Sequence, residues 1–379
     1  MTTAALPLTL SQALAFRLAR HHLLEPADDP LTAARTLIGA QAQVHSAAIL
    51  QLRARTRKTT ARAIDRALRR DRSLVKMWGQ RGTLHLTPAG DLPMILALRS
   101  TFEESYRRWY RREGLTDAQI DLLVAAIAEA VAKQPMSRGD LAAALSPRLG
   151  EWARPWLEHS WGGAIKLATA LGHVCHGPER EREATFISLN GWAPPPEEPA
   201  GEEPLLTLLR RYLAVYGPAR PRDFAKFTNL PAPAVRALWE ALHPDLVPVE
   251  VETEAGGKPL WALAEDEEAL REASMPPGHI TALPLFDPYL LAHHDTDPVV
   301  PGRHRALVYR TAGWITAVIL REGRLAAVWN HEKRGDGWRV TITPTGRFGQ
   351  IPLRRATRKI RHLAGAYGVR DVTVELAAG

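Results

Sequence analysis

The stretch from residue 204 to residue 227 reads PLLTLLRRYLAVYGPARPRDFAKF. Its apolar residues recur at helical spacing, which predicts a helix over 204–216. Gly217 and Pro218 then predict a turn, and a proline-started second helix is predicted over 221–227. Two helices joined by a Gly-Pro turn are typical of a helix-turn-helix.

The sequence that follows completes a winged-helix pattern. A third helix is predicted over 231–242, and residues 246–263 alternate like a hairpin interrupted at Gly256 and Gly257. The same order of helices and hairpin recurs twice earlier in the chain. The earlier elements are predicted as helices over 8–70 with a break at Gly39, a hairpin over 75–86, helices over 116–133, 137–145 and 151–171, and a wing over 173–189.

The chain beyond residue 280 has a different character. Its pattern predicts strands over 306–310, 314–320, 325–331 and 338–343, a basic amphipathic helix over 351–366 and a last strand over 372–376. We therefore predict an α+β protein that ends in a small β-rich domain with a closing helix. The predicted segments are 1–115, 116–193, 203–270 and 280–379, with a proline-rich linker over 194–199.

Composition excludes several classes of protein. The chain has 379 residues, with 49 Lys and Arg against 41 Asp and Glu, a formal net charge of +8. Its single cysteine, Cys175, excludes a disulfide framework and a multi-cysteine zinc site. No apolar run approaches the roughly 18–20 residues of a membrane span, and the first residues lack the basic region of a secretory signal. We expect a cytoplasmic protein that does not associate with a membrane.

Positive charge is concentrated in one part of the chain. Nine cations and two acids lie between Arg53 and Arg72. Arginine binds phosphate well because its planar guanidinium makes two parallel hydrogen bonds. Such a run indicates a polyanion along one face, and the alternative is an ordinary solvated helix face.

The residues best suited to chemistry lie in Gly39-Ala-Gln41-Ala-Gln43-Val-His45-Ser46. On a regular helix, Gln41 and Gln43 point about 200° apart and do not face one ligand. At a helix break, marked here by Gly39, they are able to converge on one cleft. An amide orients a water or binds a sugar but is no general base, so it suffices only when the leaving group is already activated. The alternative is a pair of surface glutamines that cap a helix.

In this helical setting, Gln41-Ala-Gln43 resembles the Gln-apolar-Gln motif of the AlkZ family of bacterial DNA glycosylases. Five further motifs are similar to the family's sequence in the same order, and together they span almost the whole chain. These are Ala47-Ala48-Ile49 with Arg53-Ala-Arg55-Thr56, then Trp78 to Leu86, Tyr216 to Ala225, Leu283 to Leu291, and Val318 to Trp329. The resemblance implies tandem winged-helix (helix-turn-helix) units with a C-terminal β-barrel-like scaffold, in agreement with the pattern above.

The resemblance also implies an activity. Family members hydrolyse the N-glycosidic bond of N7-alkylguanine adducts, and one branch unhooks interstrand crosslinks, which gives self-resistance to a DNA-alkylating antibiotic. A sister branch has Asp in place of the second glutamine and a broader substrate range, so Gln43 places this chain with the first branch. An N7-alkylguanine is cationic and leaves without protonation, so Gln41 and Gln43 are expected as the catalytic residues that place water and contact the deoxyribose. A monofunctional hydrolase without lyase activity, metal or cofactor is expected.

Several residues are expected to contact double-stranded DNA around the lesion. The hairpin is expected to press into the DNA, with Arg81 on a phosphate and His85 on a base edge or sugar; alternatively Thr83 and His85 only complete the hairpin core. The full set is His45, Ser46, Arg53, Arg55, Arg57, Lys58, Trp78, Arg81, Thr83 and His85. His21-His22 and His293-His294-Asp295 suggest metal ligands, but adjacent side chains diverge, so no metal site is predicted.

Two other functions remain open at this stage. A winged-helix transcriptional regulator without catalysis shares the predicted units and the positive charge, but regulators of this kind are usually dimers. The chain shows no coiled-coil heptads, so we expect a monomer. A broad-range glycosylase for simple methylated purines is the second alternative, and Gln43 argues against it.

Overall fold

The computed structural model describes residues 4–159, 163–181, 183–194, 203–252, 259–294 and 298–377. In these ranges the helices are α1 Leu10–Arg20, α2 Pro30–Thr36, α3 His45–Ala54, α4 Ala61–Arg69, α5 Leu92–Ser100, α6 Glu103–Arg112, α7 Asp117–Lys133, α8 Arg138–Leu149, α9 Arg154–Glu158, α10 Gly163–Ala170, α11 Pro204–Tyr216, α12 Pro221–Thr228, α13 Ala232–Leu242, α14 Glu267–Glu272, α15 Arg305–Val308 and α16 Gln350–Ala364.

The strands are β1 Leu6–Leu8, β2 Ala40–Gln41, β3 Leu74–Trp78, β4 Leu84–Pro88, β5 Met136–Ser137, β6 Val174–His176, β7 Thr185–Ser188, β8 Leu246–Val251, β9 Leu260–Leu263, β10 Ile280–Leu283, β11 Val318–Arg321, β12 Arg324–Arg334, β13 Gly337–Pro344 and β14 Val372–Leu376. The fold is mixed α+β, as predicted. Within the described ranges, no helix is both long and apolar enough to span a bilayer.

The chain forms two compact units. The first contains residues 1–64 and 206–379, and the second contains residues 65–205. The first unit therefore joins the N-terminal helices to the C-terminal sheet. The predicted division into four segments stays a prediction, and its first segment, 1–115, includes residues of both units.

Side-chain caps set the starts of several helices. Thr9 closes a capping box at the start of α1, and Asp29 accepts from the amide of Leu31 ahead of Pro30 in α2. The hydroxyl of Thr60 accepts from the amide of Ala63 at α4. These caps satisfy amides that a helix leaves without internal partners.

In the first unit, α11 to α13 are followed by the antiparallel hairpin of β8 and β9, which confirms the predicted order of helices and hairpin. The N-terminal strand β1 adds to this hairpin in parallel to β8, with Leu6 opposite Val249. The predicted glycine interruption, Gly256-Gly257, lies outside the described residues.

The C-terminal sheet has the strand order β10-β11-β12-β13-β14. Neighbouring strands are antiparallel except β13 and β14, which α16 connects as a parallel pair. Because β10 and β14 form opposite edges, the described sheet is open, and the expected barrel-like closure is wrong. The helix α16 packs against β10 and α3 instead.

Two further predictions in this region need correction. Residues 306–310 were predicted as a strand, but α15 covers Arg305–Val308. A short, mostly apolar stretch fits one helical turn as well as a strand. Strand β10 was missed because all four of its residues, Ile280–Leu283, are buried, so this short stretch lacks the regular alternation of apolar and polar residues that marks a half-exposed strand.

The second unit contains α5 to α10, the β3-β4 hairpin and a small sheet in the order β5-β7-β6. The helix predicted over 151–171 is interrupted. Pro155 lies in the first turn of α9, which ends at Glu158, and α10 begins at Gly163, where a Cβ would lie 2.3 Å from the carbonyl oxygen of Trp156. Residues 160–162 and the predicted linker positions 195–199 lie outside the described residues.

Candidate active site

The turn before the glutamine segment breaks the helical path. Helix α2 ends at Thr36, and Ile38 and Gly39 follow with φ values of 57° and 95°. The Gly39 amide donates to Ala34 O at 2.9 Å, and the Tyr216 hydroxyl donates to Leu37 O at 3.0 Å. A positive φ of this size favours glycine, so the break predicted at Gly39 is confirmed.

The two glutamines lie between this turn and α3, outside any helix. Gln41 ends β2 and is 4% exposed, whereas Gln43 lies in a bend and is exposed. Both side chains carry an amide that donates and accepts hydrogen bonds. Their different exposure makes Gln43 the glutamine that is open to a ligand from solvent.

A third glutamine supports this segment from within α3. The amide nitrogen of Gln51 donates to the backbone oxygens of Gln41 at 3.1 Å, Leu285 at 3.2 Å and Phe286 at 3.3 Å. Gln51 is fully buried. One amide therefore ties the glutamine segment to the turn after β10. The sequence analysis missed Gln51, because its partners at 285 and 286 are distant in the chain.

One turn further along, Arg55 makes a buried ion pair with Asp287. Its Nη1 lies 2.8 Å from Oδ2 and its Nη2 lies 2.7 Å from Oδ1. Both side chains are 0% exposed. The expected DNA contact by Arg55 is corrected here, because a fully buried guanidinium leaves no surface for a phosphate. The structure instead places Arg55 among the groups that hold α3.

The other predicted residues of this unit differ in exposure. His45 is half-buried at the start of α3 and Ser46 is exposed. Arg53 is partly buried and donates to the backbone oxygens of His362 at 2.9 Å and Thr59 at 3.1 Å. Arg57 and Lys58 are both exposed. Of these cations, the last two are the ones whose surface is open to a polyanion.

In the second unit, Trp78 and His85 lie in the β3-β4 hairpin and are 6% and 2% exposed. His85 Nδ1 lies 2.8 Å from Thr83 O. Burial, with smaller contributions from Arg81 and Arg99, lowers the pKa of His85 to about 3, so its ring is neutral at pH 7. These contacts favour the alternative in which His85 completes the hairpin core.

The turn of this hairpin carries the more accessible residues. Arg81 has a φ of 55° and is half-buried, as is Thr83, whose hydroxyl donates to Gln80 O at 3.1 Å. Next to the turn lie two cations that the sequence analysis missed, Arg99 and Lys166. Arg99 Nη1 donates to Gly79 O at 3.4 Å.

Lys166 lies directly against Gly82. A Cβ on this glycine would be 3.2 Å from the Lys166 Nζ. Burial, with Arg99 as the second cause, lowers the pKa of Lys166 to about 8. Among the residues that the structure describes, neither Arg99 nor Lys166 has a carboxylate within ion-pair distance. The hairpin turn is thus underlain by two cations without an acidic partner in that part of the chain.

The glutamine segment is free of acidic residues in the sequence itself. Residues 30–64 contain no Asp and no Glu. Asp287, which reaches this region from the C-terminal scaffold, is engaged by Arg55 and by the amide of Tyr289 at 3.0 Å. The polar side chains at positions 41 and 43 are therefore neutral amides in a stretch of chain that supplies no carboxylate. No group of three or more His, Cys, Asp or Glu side chains suited to a metal ion occurs within the described ranges.

The histidine pairs considered as metal ligands have other surroundings. His293 is buried with its Nε2 2.8 Å from Tyr216 O, and the His294 amide donates to Asp223 at 2.8 Å. Asp295 lies outside the described residues. His21 is fully buried, and burial followed by Arg55 lowers its pKa well below the usual value.

Comparison with known proteins relates this arrangement to one family. Residues 34–368 match the family described as DNA glycosylase AlkZ-like. Over 378 residues, 31% are identical to the interstrand DNA cross-link repair glycosylase of Streptomyces sahachiroi, with 96% of this chain and 98% of that protein covered. The solved structure of the Streptomyces sahachiroi DNA glycosylase AlkZ is similar with a TM-score of 0.85 and 28% identity, covering 98% of this chain and 100% of that one.

Proposed function

This chain belongs to the AlkZ-like family of DNA glycosylases, and we propose that it releases bulky N7-alkylguanines from double-stranded DNA. In this proposal it also unhooks interstrand crosslinks formed through such bases, and its Streptomyces sahachiroi relative is named an interstrand DNA cross-link repair glycosylase. The biological role would be self-resistance to a DNA-alkylating natural product.

The observation that carries the proposal is the neutral glutamine segment. Residues 30–64 offer no carboxylate to deprotonate water, and Asp287 is sequestered by Arg55. Such a site suits a leaving group that is already positively charged, because the glycosidic bond then breaks without strong base assistance. N7-alkylation puts this charge on guanine.

The two glutamines take different roles in this reaction. Gln43 is exposed and is the side chain that contacts the deoxyribose or holds the attacking water. Gln41 is buried, and its backbone oxygen is held by Gln51, so it fixes the position of the segment and lines the inner side of the site. Positioning of water and sugar accounts for the catalysis, and water rather than a lysine is the nucleophile.

DNA contacts in the proposal come from surfaces of both units. In the first unit these are His45 and Ser46 next to Gln43, together with the exposed Arg57 and Lys58 and the partly buried Arg53. In the second unit the hairpin presents Arg81 and Thr83, with Trp78 and His85 shaping it and Lys166 and Arg99 supplying charge. We assign the three sets of helices and hairpin to tandem winged-helix motifs in a monomeric, monofunctional and cytoplasmic enzyme.

Base release from a duplex with a single bulky N7-alkylguanine tests this proposal. We expect wild-type protein to leave an abasic site, which alkali then cleaves, and expect no strand break before alkali is added. Gln43→Ala is expected to lose most of the rate while its affinity for the duplex changes less than about threefold, and Gln41→Ala is expected to lose rate as well.

Three outcomes would redirect the proposal. Tight, sequence-selective binding without base release would identify a transcriptional regulator instead. Trapping of a covalent protein–DNA intermediate by borohydride would show a lysine nucleophile, and the enzyme would then be a bifunctional glycosylase. A faster reaction on small methylated purines than on bulky adducts would favour the broad-range alternative.

A further inference from the structure

The first unit contains a cavity of about 440 Å³. It lies between the segment that follows α1, the end of α3, strand β10 and the C-terminal half of α16. Leu23, Leu24 and Leu363 give it apolar walls. The residues of the glutamine segment and of the hairpin do not line this cavity. Arg57, one of the proposed DNA contacts, does.

The charged lining of the cavity is entirely positive. Arg57, Arg358 and Lys359 line it, and no Asp or Glu does. Within the described part of the chain, none of these three cations has a carboxylate within 4.0 Å. Burial, followed by the charge of Arg358, lowers the pKa of Lys359. Arg57 and Arg358 are exposed and Lys359 is half-buried, so like charges line one cavity without a carboxylate among them, and a bound anion would relieve their repulsion.

The two histidines of the lining do not add charge. His362 Nε2 donates to the backbone oxygens of Arg53 and Thr56, each at 2.9 Å. His22 Nε2 lies 3.0 Å from the Thr36 hydroxyl. Burial is the largest cause that lowers the pKa of each ring. Asp28 acts on His22 but does not line the cavity. Both rings are thus polar, neutral walls beside the three cations.

We propose that this cavity is a phosphate-binding site formed by Arg57, Arg358 and Lys359. Guanidinium groups bind phosphate oxygens in pairs, and an ammonium adds a point charge. A phosphodiester of the DNA backbone and a free phosphate share this chemistry. We favour the backbone source, and that choice rests on the function proposed above.

The position of the cavity predicts which backbone phosphate is bound. Helix α3 begins directly after the glutamine segment, and the cavity lies at its other end. Ten residues of helix extend about 15 Å. One DNA strand carries a phosphate about every 3.4 Å along its axis, so the contacted phosphate lies roughly four nucleotides from the lesion. The cavity would hold the strand in register beyond the reacting nucleotide.

Paired substitutions on α16 test the site. Arg358→Gln with Lys359→Gln removes two charges from the lining, whereas Arg354→Gln with Arg361→Gln removes two exposed charges from the same helix outside it. We expect the first pair to weaken binding of a lesion-containing duplex about tenfold. We also expect the slope of log affinity against log salt concentration to become shallower by about one to two. The control pair is expected to weaken binding less than about threefold.

A neutral methylphosphonate placed at single positions of the duplex identifies the source of the phosphate. We expect wild-type affinity to fall severalfold when the methylphosphonate lies about three to five nucleotides from the lesion, and expect no such fall in the Arg358→Gln, Lys359→Gln protein. A parallel arm measures the unfolding temperature with inorganic phosphate against chloride at equal ionic strength. Circular dichroism verifies that all variants fold.

Each outcome decides a part of the inference. Stabilisation by inorganic phosphate that the lining variant lacks, without a change in DNA affinity, supports the site and assigns it to a free phosphate. Equal behaviour of the lining and control pairs in both arms overturns the site. If wild-type protein binds no DNA, the proposed function fails, and the phosphate arm still decides on the cavity.

Discussion

Arg55 and Asp287 meet in the interior of the first unit as a two-pronged ion pair, although 232 positions separate them in sequence. Arg55 follows the helix that begins after the glutamine segment, and Asp287 follows β10. The Gln51 amide makes a parallel link from Gln41 O to the oxygens of Leu285 and Phe286. The position of the glutamine segment therefore depends on the C-terminal scaffold.

Breaking this ion pair from one side is expected to destabilise the protein strongly. Asp287→Ala leaves the Arg55 guanidinium buried without its carboxylate, and we expect a loss of about 3–5 kcal/mol in the free energy of unfolding. Urea unfolding followed by circular dichroism measures it. Replacing both partners, with Arg55→Met and Asp287→Leu, is expected to restore much of the loss. An Asp287→Ala protein whose free energy of unfolding lies within about 1 kcal/mol of wild type contradicts the assignment of a buried ion pair.

Gln51 is predicted to act as a positioning residue. Gln51→Met keeps the size of the side chain but leaves three backbone oxygens without its amide, so the glutamine segment loses its tie to the scaffold. We expect single-turnover base release to fall about tenfold to a hundredfold, with DNA affinity changed less than about twofold. A purely structural role predicts a lower unfolding temperature but an unchanged rate for the protein that remains folded.

Lys166 gives the hairpin surface a dependence on pH. Its pKa is lowered to about 8, so it is mostly charged at pH 7 and mostly neutral at pH 9. If it contacts a phosphate, duplex affinity falls across this interval, by about threefold to fivefold. Lys166→Arg keeps its charge at both values and is expected to flatten the profile. Titrations of labelled duplex at constant ionic strength measure the effect, and identical profiles for both proteins count against the contact.

His176 is predicted to make the second unit sensitive to acid. It is buried between Trp78 and Phe186, and burial, then Lys76 and Arg138, lowers its pKa to about 3. The unfolded chain binds a proton near pH 6.5 and the folded chain does not, so stability is retained above pH 6.5. It is lost as the pH falls toward 3, by about 1.4 kcal/mol per pH unit.

His176→Phe tests this prediction, because an aromatic ring without a titrating nitrogen fills the same space. We expect the variant to lose less stability between pH 6.5 and 4.5 than wild type, as measured by urea unfolding at each pH. His173→Phe, at an exposed position of the same unit, is the matched control and is expected to lose as much stability in acid as wild type.

The sequence allowed much of the local structure to be predicted and less of the site. The break at Gly39 and the helices that follow it were predictable, since φ preference and apolar spacing are local properties. The burial of Arg55 was not, because a charged residue in a basic run is normally exposed and its partner is distant. Lys166 was missed for a related reason, since its contact with Gly82 is made only in the folded unit.

We infer that a site of neutral amides acts on a leaving base that is already charged. This chemistry is tested most directly by single-turnover base release from two duplexes that carry the same bulky alkyl group, on guanine N7 in one and on the exocyclic N2 in the other. We predict release from the cationic N7 adduct at least about a thousandfold faster than from the neutral N2 adduct, a difference of about 4 kcal/mol in activation free energy. Comparable rates on both duplexes would contradict the account, because the protein itself would then have to activate the leaving base.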